Sequence, residues 1–102
     1  MIVIFAALRA KSGRRAELTR GLDAIRAEAE SEPGTIAFAV HIARDDENLV
    51  LCYEAYRDDA ALAAHREGRA LLALMDSIGE MIDGPPEIQY ATMVGGVGVS
   101  TS

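Results

Sequence analysis

The sequence contains no tryptophan and a single cysteine among its 102 residues, and only five of its side chains are aromatic. One cysteine, Cys52, excludes an internal disulfide and any CxxC metal or redox motif. Because Cys52 falls within an apolar run, we interpret it as a small buried hydrophobic residue. Half of the residues are hydrophobic, which suffices for the core of one domain.

Basic residues are also few, since ten lysines and arginines stand against sixteen aspartates and glutamates, for a formal net charge of −6 at pH 7. A nucleic-acid-binding surface needs a stripe of positive charge, and the same is true of binding to an anionic membrane. The apolar N-terminal run MIVIFAAL is only about one strand long and lacks a basic lead-in, so it predicts neither a signal peptide nor a membrane span. We therefore expect a cytoplasmic protein with no nucleic-acid or membrane partner.

Four segments have the β-branched and aromatic composition that is typical of strands, and each is bounded by turn-forming residues. They cover residues 2–8, 35–42, 49–56 and 88–94. The charged run at residues 44–48 predicts a hairpin between the second and third strands.

Three stretches between these strands predict helices. The first begins at Ser12, which we expect to cap it, and ends at the Glu32-Pro33-Gly34 turn, since proline cannot continue a helix. Its apolar stripe consists of Leu18, Leu22, Ile25 and Ala29. A short helix begins after Asp58, a predicted N-cap, and Glu67-Gly68 separates it from a third helix. The stripe of this third helix consists of Leu71, Leu74, Met75, Ile78, Met81 and Ile82.

This order of elements is typical of the ferredoxin-like split βαβ sandwich, an α+β fold in which helices cover one face of an antiparallel sheet. The other face is predicted to be apolar too, because the first and third strands carry apolar residues on both sides, whereas a sheet open to water alternates. We therefore expect a two-fold homodimer that buries this face. Residues 1–96 are predicted to form one domain, and residues 97–102 a tail that is either flexible or laid on a partner subunit.

Glu54 is the residue least expected in its surroundings, because an unpartnered carboxylate in an apolar strand is costly. Its candidate partners are His65, His41, Arg9 and a tyrosine, and Tyr56 shares its face of the strand. His65 shares a helix face with Leu62, so a helix that folds back over the sheet brings His65 close to Glu54 or Tyr56. Two interpretations of Glu54 and His65 follow. In one, the His65 imidazole is a general base that the Glu54 carboxylate orients; in the other, the two residues are a buried polar pair that holds the helix on the sheet. His41, on the second strand, is a second-ranked candidate that either lines a pocket or ends a strand in water.

Three segments resemble the antibiotic biosynthesis monooxygenase (ABM) domain family. They are SEPGTIAFAVH (31–41), LVLCYEAYRDDAALAAH (49–65) and PPEIQYATMVG (85–95). The resemblance extends over residues 1–96, and its most specific parts are the Glu-Pro-Gly turn and the Glu54-x-Tyr56 strand followed by His65. It implies a dimeric α/β barrel, in which two ferredoxin-like subunits join through their sheets and each holds a pocket between sheet and helices.

The resemblance implies several chemistries. Members of the family include cofactor-independent monooxygenases that oxidise anthrones or hydroquinones, haem-degrading enzymes, and an isomerase of a small phosphorylated metabolite. In the haem-degrading branch the helix after the short one carries an iron-binding histidine, and here that helix, RALLALMDSIGEMI (69–82), has none. The preferred hypothesis is therefore a monooxygenase that uses O2 on a small aromatic hydroquinone or anthrone, without a metal or an organic cofactor.

In this hypothesis His65, supported by Glu54, is the base, and Tyr56 hydrogen-bonds the substrate oxygen. A deprotonated phenol or anthrone can pass an electron to O2 itself, so the protein supplies only a base, positioning and a dry pocket. Two alternatives stay open. A non-catalytic dimeric module would bind a hydrophobic small molecule. An isomerase of a phosphorylated metabolite would need a cationic site, for which the only basic cluster consists of Arg9, Lys11, Arg14 and Arg15.

Overall fold

The computed structural model of the chain describes residues 1–99, which form four strands and three helices. The strands are β1 (Ile2–Arg9), β2 (Thr35–Ile42), β3 (Leu49–Tyr56) and β4 (Glu87–Ala91). The helices are α1 (Arg15–Ala29), α2 (Asp59–Arg66) and α3 (Arg69–Met81). Within this described part of the chain, none of the helices has the length and apolar character needed to cross a membrane.

The four strands form one antiparallel sheet in the order β2-β3-β1-β4. This strand order, with the helices connecting β1 to β2 and β3 to β4, is the ferredoxin-like α+β fold that the order of elements predicts. The register places Glu54 between Ile4 of β1 and Phe38 of β2. Its carboxylate therefore projects from the middle of the sheet, on the same face as Cys52 and Tyr56.

The hydrophobic core lies between the sheet and the helices α1 and α3. Its buried members are Leu8, Ala10, Leu18, Leu22, Ile25, Val50, Cys52, Leu74, Met81 and Ile82. The helices α1 and α3 approach closely at Gly21, where a Cβ atom would lie 2.7 Å from Leu74 Cδ1. The carboxylate of Glu28 on α1 also accepts a hydrogen bond from the backbone N–H of Ala70, at 2.9 Å. This bond satisfies one of the free amides in the first turn of α3 and ties the two helices together.

Two predicted helix starts have different outcomes. Asp58 caps α2 as predicted, since its carboxylate accepts a hydrogen bond from the Ala61 backbone N–H at 2.8 Å. The prediction that Ser12 caps α1 is wrong, because Arg14 occupies the N-cap position. The reason is Gly13, whose φ of +79° turns the chain before the helix can begin, a conformation that costs glycine little.

The last strand is shorter than its composition predicts. β4 ends at Ala91, which pairs with Val3 of β1, so almost no length of β1 remains for the residues that follow. The predicted tail begins at residue 97, and residues 100–102 lie outside the described residues. Whether the tail contacts a partner subunit stays a prediction.

Candidate functional site

A cavity of about 390 Å³ lies between the helix-covered face of the sheet and the three helices. Side chains from all four strands and all three helices form its wall, and most of them are apolar. The polar side chains in the wall are Glu54, His65, Arg66 and Tyr90. An apolar concavity of this size with a few polar groups is typical of a binding site for a small organic molecule.

Glu54 is held in the cavity wall by Tyr56, its neighbour on the same face of β3. The Tyr56 hydroxyl donates a hydrogen bond to Glu54 Oε1 at 2.5 Å. Burial, and then the hydrogen bond to Glu54, raise the pKa of the fully buried Tyr56 far above its ordinary value. Tyr56 therefore keeps its proton and serves as a fixed donor that orients the carboxylate.

His65 extends from α2 into the same region and is 4% exposed. Its Nδ1 atom lies 2.9 Å from Glu32 Oε1, and the Glu32 carboxylate also accepts a hydrogen bond from Thr35 Oγ1 at 2.6 Å. Burial raises the Glu32 pKa, but the hydrogen bonds from Thr35 and His65 outweigh it and hold that pKa below its ordinary value of 4.5. Glu32 is therefore ionised at neutral pH and can only accept, so Nδ1 of His65 carries the proton. In the neutral ring this leaves Nε2 as the basic nitrogen.

The imidazole ring of His65 is held from two sides. Its centroid lies 5.4 Å from that of Phe38 and 4.9 Å from that of Tyr56. Within residues 1–99 no protein group hydrogen-bonds Nε2, and no fully buried side-chain nitrogen or oxygen in that range lacks a partner, so Nε2 is not fully buried. His65 lines the cavity, and because Glu32 occupies Nδ1, Nε2 is the ring nitrogen left to take a proton from a molecule bound there.

The structure pairs the predicted residues differently from the prediction. His65 lies beside Tyr56, as expected, but the predicted partnership of His65 with Glu54 is wrong, because Glu54 bonds Tyr56 and His65 bonds Glu32. Glu32 is a residue of the site to which sequence reasoning gave no chemical role, although the Glu-Pro-Gly turn that contains it is one of the most specific parts of the family resemblance. The pairing of Thr35 with Tyr56 brings that turn to the end of β3, where α2 begins. The local motif marked the turn, but only this register shows that Glu32 is the partner of His65.

The Glu-Pro-Gly turn is fixed where α2 crosses it. The Arg57 guanidinium donates to the Pro33 carbonyl at 2.6 Å, and the Arg57 backbone N–H donates to the Gly34 carbonyl at 2.9 Å. A Cβ atom on Gly34 would lie 2.3 Å from the Cβ of Ala61 on α2. Glycine at this position therefore allows the helix that carries His65 to contact the turn that carries Glu32.

The second-ranked candidate, His41, is not part of this site. It pairs with Leu51 on the outer face of the sheet, and its Nδ1 lies 3.1 Å from the Leu51 carbonyl oxygen. Cys52 does lie in the cavity wall, where burial and the nearby Glu54 raise the pKa of its thiol to about 12. The thiol is therefore protonated at neutral pH and is no nucleophile. Among the described residues, no three His, Cys, Asp or Glu side chains are placed to hold a metal ion.

The mouth of the cavity is formed by α3 and β4. Met75, which the helical pattern predicts in the core, is about half exposed here together with Leu72, Ile88 and Tyr90. Arg66, at the end of α2, donates a hydrogen bond to the Tyr90 hydroxyl across this opening. The prediction from the helical stripe that both methionines lie in the core is therefore confirmed for Met81, which is buried, and wrong for Met75.

The sequence profile of the family described as antibiotic biosynthesis monooxygenase matches residues 1–77, which include α1, β2, β3, α2 and Glu32. The chain belongs to the ABM family. No curated protein matches it in sequence.

Solved structures resemble this one over nearly its whole length. A candidate antibiotic biosynthesis monooxygenase from Nitrosomonas europaea superposes with a TM-score of 0.87 at 21% identity, covering 93% of this chain and 100% of that one. A protein from Pseudomonas aeruginosa has a TM-score of 0.85 at 26% identity, covering 92% and 94%. A protein from Mycobacterium tuberculosis has a TM-score of 0.85 at 21% identity, covering 93% and 96%. These likenesses extend the shared fold beyond residue 77, through α3 and β4.

Proposed function

We propose that the protein is a monooxygenase that oxidises a small aromatic hydroquinone- or anthrone-like substrate with O2 and needs no metal or organic cofactor. The observation that carries this proposal is the placement of His65. His65 lines an apolar cavity, and its Nδ1 is bonded to an ionised carboxylate, which leaves Nε2 for a bound molecule. An apolar cavity with one oriented base is what deprotonation of a weak carbon or phenol acid requires.

The chemistry starts with a proton transfer from the substrate to His65 Nε2. For an anthrone, the proton leaves the ring methylene and the resulting carbanion, delocalised into the ring oxygen, passes an electron to O2. The two radicals combine into a peroxide anion, which takes the proton back from His65 to give a hydroperoxide and restores the base. The hydroperoxide then loses water to give a carbonyl. One oxygen atom of O2 enters the product and the other leaves as water, so the oxidation of the methylene group to a carbonyl group accounts for all four electrons.

The neighbouring residues prepare this step. The Glu32 carboxylate stabilises the imidazolium that forms when Nε2 takes the proton, and it holds the ring in one tautomer. The Tyr56 hydroxyl already donates its hydrogen bond to Glu54. We therefore assign Tyr56 the role of orienting that carboxylate, and not the role of contacting the substrate directly. Glu54 then accepts a hydrogen bond from a substrate hydroxyl, which positions the ring against His65.

The two alternatives predict other features of the cavity. A phosphate-binding isomerase needs a cluster of cations in the site, but the predicted basic cluster lies outside it, and Arg66 is the one lysine or arginine among the described residues in the cavity wall. Within the described residues, Arg9 pairs with Asp46, Lys11 bonds the Gly79 carbonyl, Arg14 pairs with Glu17, and Arg15 bonds the Glu47 carbonyl. A binding module needs no base in the cavity wall, and in such a module the bond between Glu32 and His65 would only hold α2 against the turn. Both observations favour the monooxygenase.

The test is oxygen uptake by the purified, chelator-treated protein with an anthrone and with a reduced naphthoquinone. We expect uptake above the rate without protein, and a loss of about 10²- to 10⁴-fold in His65→Ala, the range typical of a lost general base. The matched control is His41→Ala, a histidine outside the cavity, which should retain full uptake. Full uptake by His65→Ala with a lower melting temperature would assign His65 a structural role. No uptake with either compound would favour the binding module or the isomerase.

The proposal includes a homodimer that covers the outer face of the sheet. Phe5 and Leu51 on that face are 50% and 38% exposed, and the Phe5 ring contacts Tyr53 with a centroid separation of 5.5 Å. Large apolar side chains on the open face of an antiparallel sheet are typical of a surface that another subunit covers.

A further inference from the structure

Arg66 is the positively charged residue beside the proposed base. It follows His65 on α2, and the two side chains leave the helix about 100° apart. Both line the cavity, His65 from the buried side and Arg66 from the exposed side. Arg66 is the one lysine or arginine among the described residues in the cavity wall.

The guanidinium of Arg66 has no acidic partner within residues 1–99. Arg9, Arg14, Arg15 and Arg26 form salt bridges there, whereas Arg66 bonds the hydroxyl of Tyr90. Arg20, Arg44, Arg57 and Arg69 also form no salt bridge within these residues, so the feature that sets Arg66 apart is its position in the cavity wall. A guanidinium carries five N–H donors in a planar fork, so one bond to a phenol oxygen leaves most of them available to an anionic group of a bound ligand.

Around Arg66 the mouth is apolar, with Leu72 and Met75 from α3 facing Ile88 from β4. A planar aromatic ring bound between these side chains would have one edge toward Arg66 and Tyr90 and the rest of the ring toward His65.

We infer that the substrate is an aromatic acid, whose carboxylate is bound at the cavity mouth by Arg66 and Tyr90 while the ring enters toward His65. The inference rests on the proposed function for the reaction at His65, but carboxylate binding itself does not require turnover. Arg66 supplies two parallel N–H donors to the carboxylate oxygens, an arrangement that lysine cannot reproduce. The Tyr90 hydroxyl holds the guanidinium across the opening and can turn to donate to the same carboxylate.

The test measures dissociation constants for two probes of the same shape, 2-naphthoate and its neutral amide, 2-naphthamide, by titration calorimetry at low salt. We expect the wild-type protein to bind the carboxylate at least about tenfold more tightly than the amide, the effect of one charge-assisted bidentate contact. In Arg66→Gln this preference should disappear while amide binding stays within about threefold of wild type. Arg66→Lys should retain only part of the preference.

The matched control is Arg69→Gln, which removes an exposed charge from the start of α3, outside the cavity wall. It should leave the preference intact. An equal affinity of the wild-type protein for both probes would overturn the inference, as would a loss of amide binding together with carboxylate binding in Arg66→Gln, since that result assigns the Arg66–Tyr90 bond a structural role. Oxygen uptake separates the two proposals. An Arg66-dependent preference without uptake refutes only the oxidation, and uptake without a preference refutes only the aromatic acid.

Discussion

Glu32 shows how much of the site depends on one side chain. It lies in a turn, yet it accepts hydrogen bonds from both Thr35 and His65 and thereby sets the tautomer of the imidazole. Its substitution by glutamine retains a hydrogen-bond acceptor for Nδ1 and removes the negative charge. The variant therefore separates the charge of Glu32 from its shape.

For Glu32→Gln we expect kcat for oxygen uptake to fall by about tenfold or more, because the imidazolium loses its neighbouring anion. KM should stay near the wild-type value, since Glu32 does not line the cavity. Steady-state kinetics with the same anthrone measures both constants. An unchanged kcat, or a rise in KM alone, would contradict the role that we assign to Glu32.

The stabilisation that Glu32 provides, and hence the effect of Glu32→Gln on stability, should depend on pH. The Glu32 pKa is lower in the folded protein than its ordinary value of 4.5, so the stabilisation is fully present above that value and is lost as the pH falls through the folded-state pKa. We expect Glu32→Gln to lower the free energy of unfolding by about 1 kcal/mol at neutral pH and by less at pH 3. Urea unfolding at the two pH values measures this difference. A destabilisation that grows toward pH 3 would have the wrong sign.

At the scale of secondary-structure elements, the position of α2 decides whether His65 reaches both Glu32 and the cavity. The helix contacts the turn before β2 at Gly34, where the space for a side chain is occupied by Ala61. The contact involves a Cβ and a Cα atom of α2, which cannot move aside as the end of a flexible side chain could.

We expect Gly34→Ala to lower the free energy of unfolding by about 1–3 kcal/mol and to reduce oxygen uptake, because α2 must shift away from the turn. Gly79→Ala is the control, since a Cβ atom at that position in α3 meets no atom within 4 Å. It should stabilise the protein by about 0.5–1 kcal/mol, because alanine favours a helix over glycine. Thermal and urea unfolding measure both variants.

A second substitution can restore the contact. Ala61→Gly in the Gly34→Ala background removes the clashing Cβ atom from α2, so the double variant should regain part of the lost stability and uptake. If the stability lost in the double variant equals the sum of the losses in Gly34→Ala and Ala61→Gly, the two positions do not contact each other.

At the scale of the whole molecule, the sheet has two apolar faces and the helices of one chain cover only one of them. The central strands β1 and β3 carry Phe5, Leu51 and Tyr53 on the outer face. The proposed homodimer buries these residues, and the cavities then lie on the opposite sides of the two sheets.

We expect the wild-type protein to elute with twice the chain mass of 10.9 kDa and Phe5→Lys with 10.9 kDa. A lysine in the centre of the interface would place two buried, unpaired charges across the two-fold axis. Size-exclusion chromatography with light scattering measures the mass, and circular dichroism checks that the variant is folded. Leu72→Lys, an equally exposed apolar residue on the helical side, should remain a dimer. A monomeric wild-type protein would refute the homodimer.

Much of the fold was predictable because its signals are local. The bounds of β2 and β3 agree with the sequence prediction at both ends, since alternation and flanking turns mark them. The N-cap at Asp58 was predictable for the same reason, since its hydrogen bond joins residues only three positions apart. The end of β4 could not be predicted in this way, because β4 ends where β1 offers almost no further residues to pair with it.

The sequence by itself determined the element order, the ferredoxin-like class and three polar residues that stand out in apolar surroundings, namely Glu54, Tyr56 and His65. Only the tertiary structure decided their partners. Glu32 and His65 are 33 residues apart, and they meet because the register of β2 on β3 and the docking of α2 on Gly34 bring them together. Hydrogen bonds between such distant residues follow from packing, which no local pattern of residues encodes.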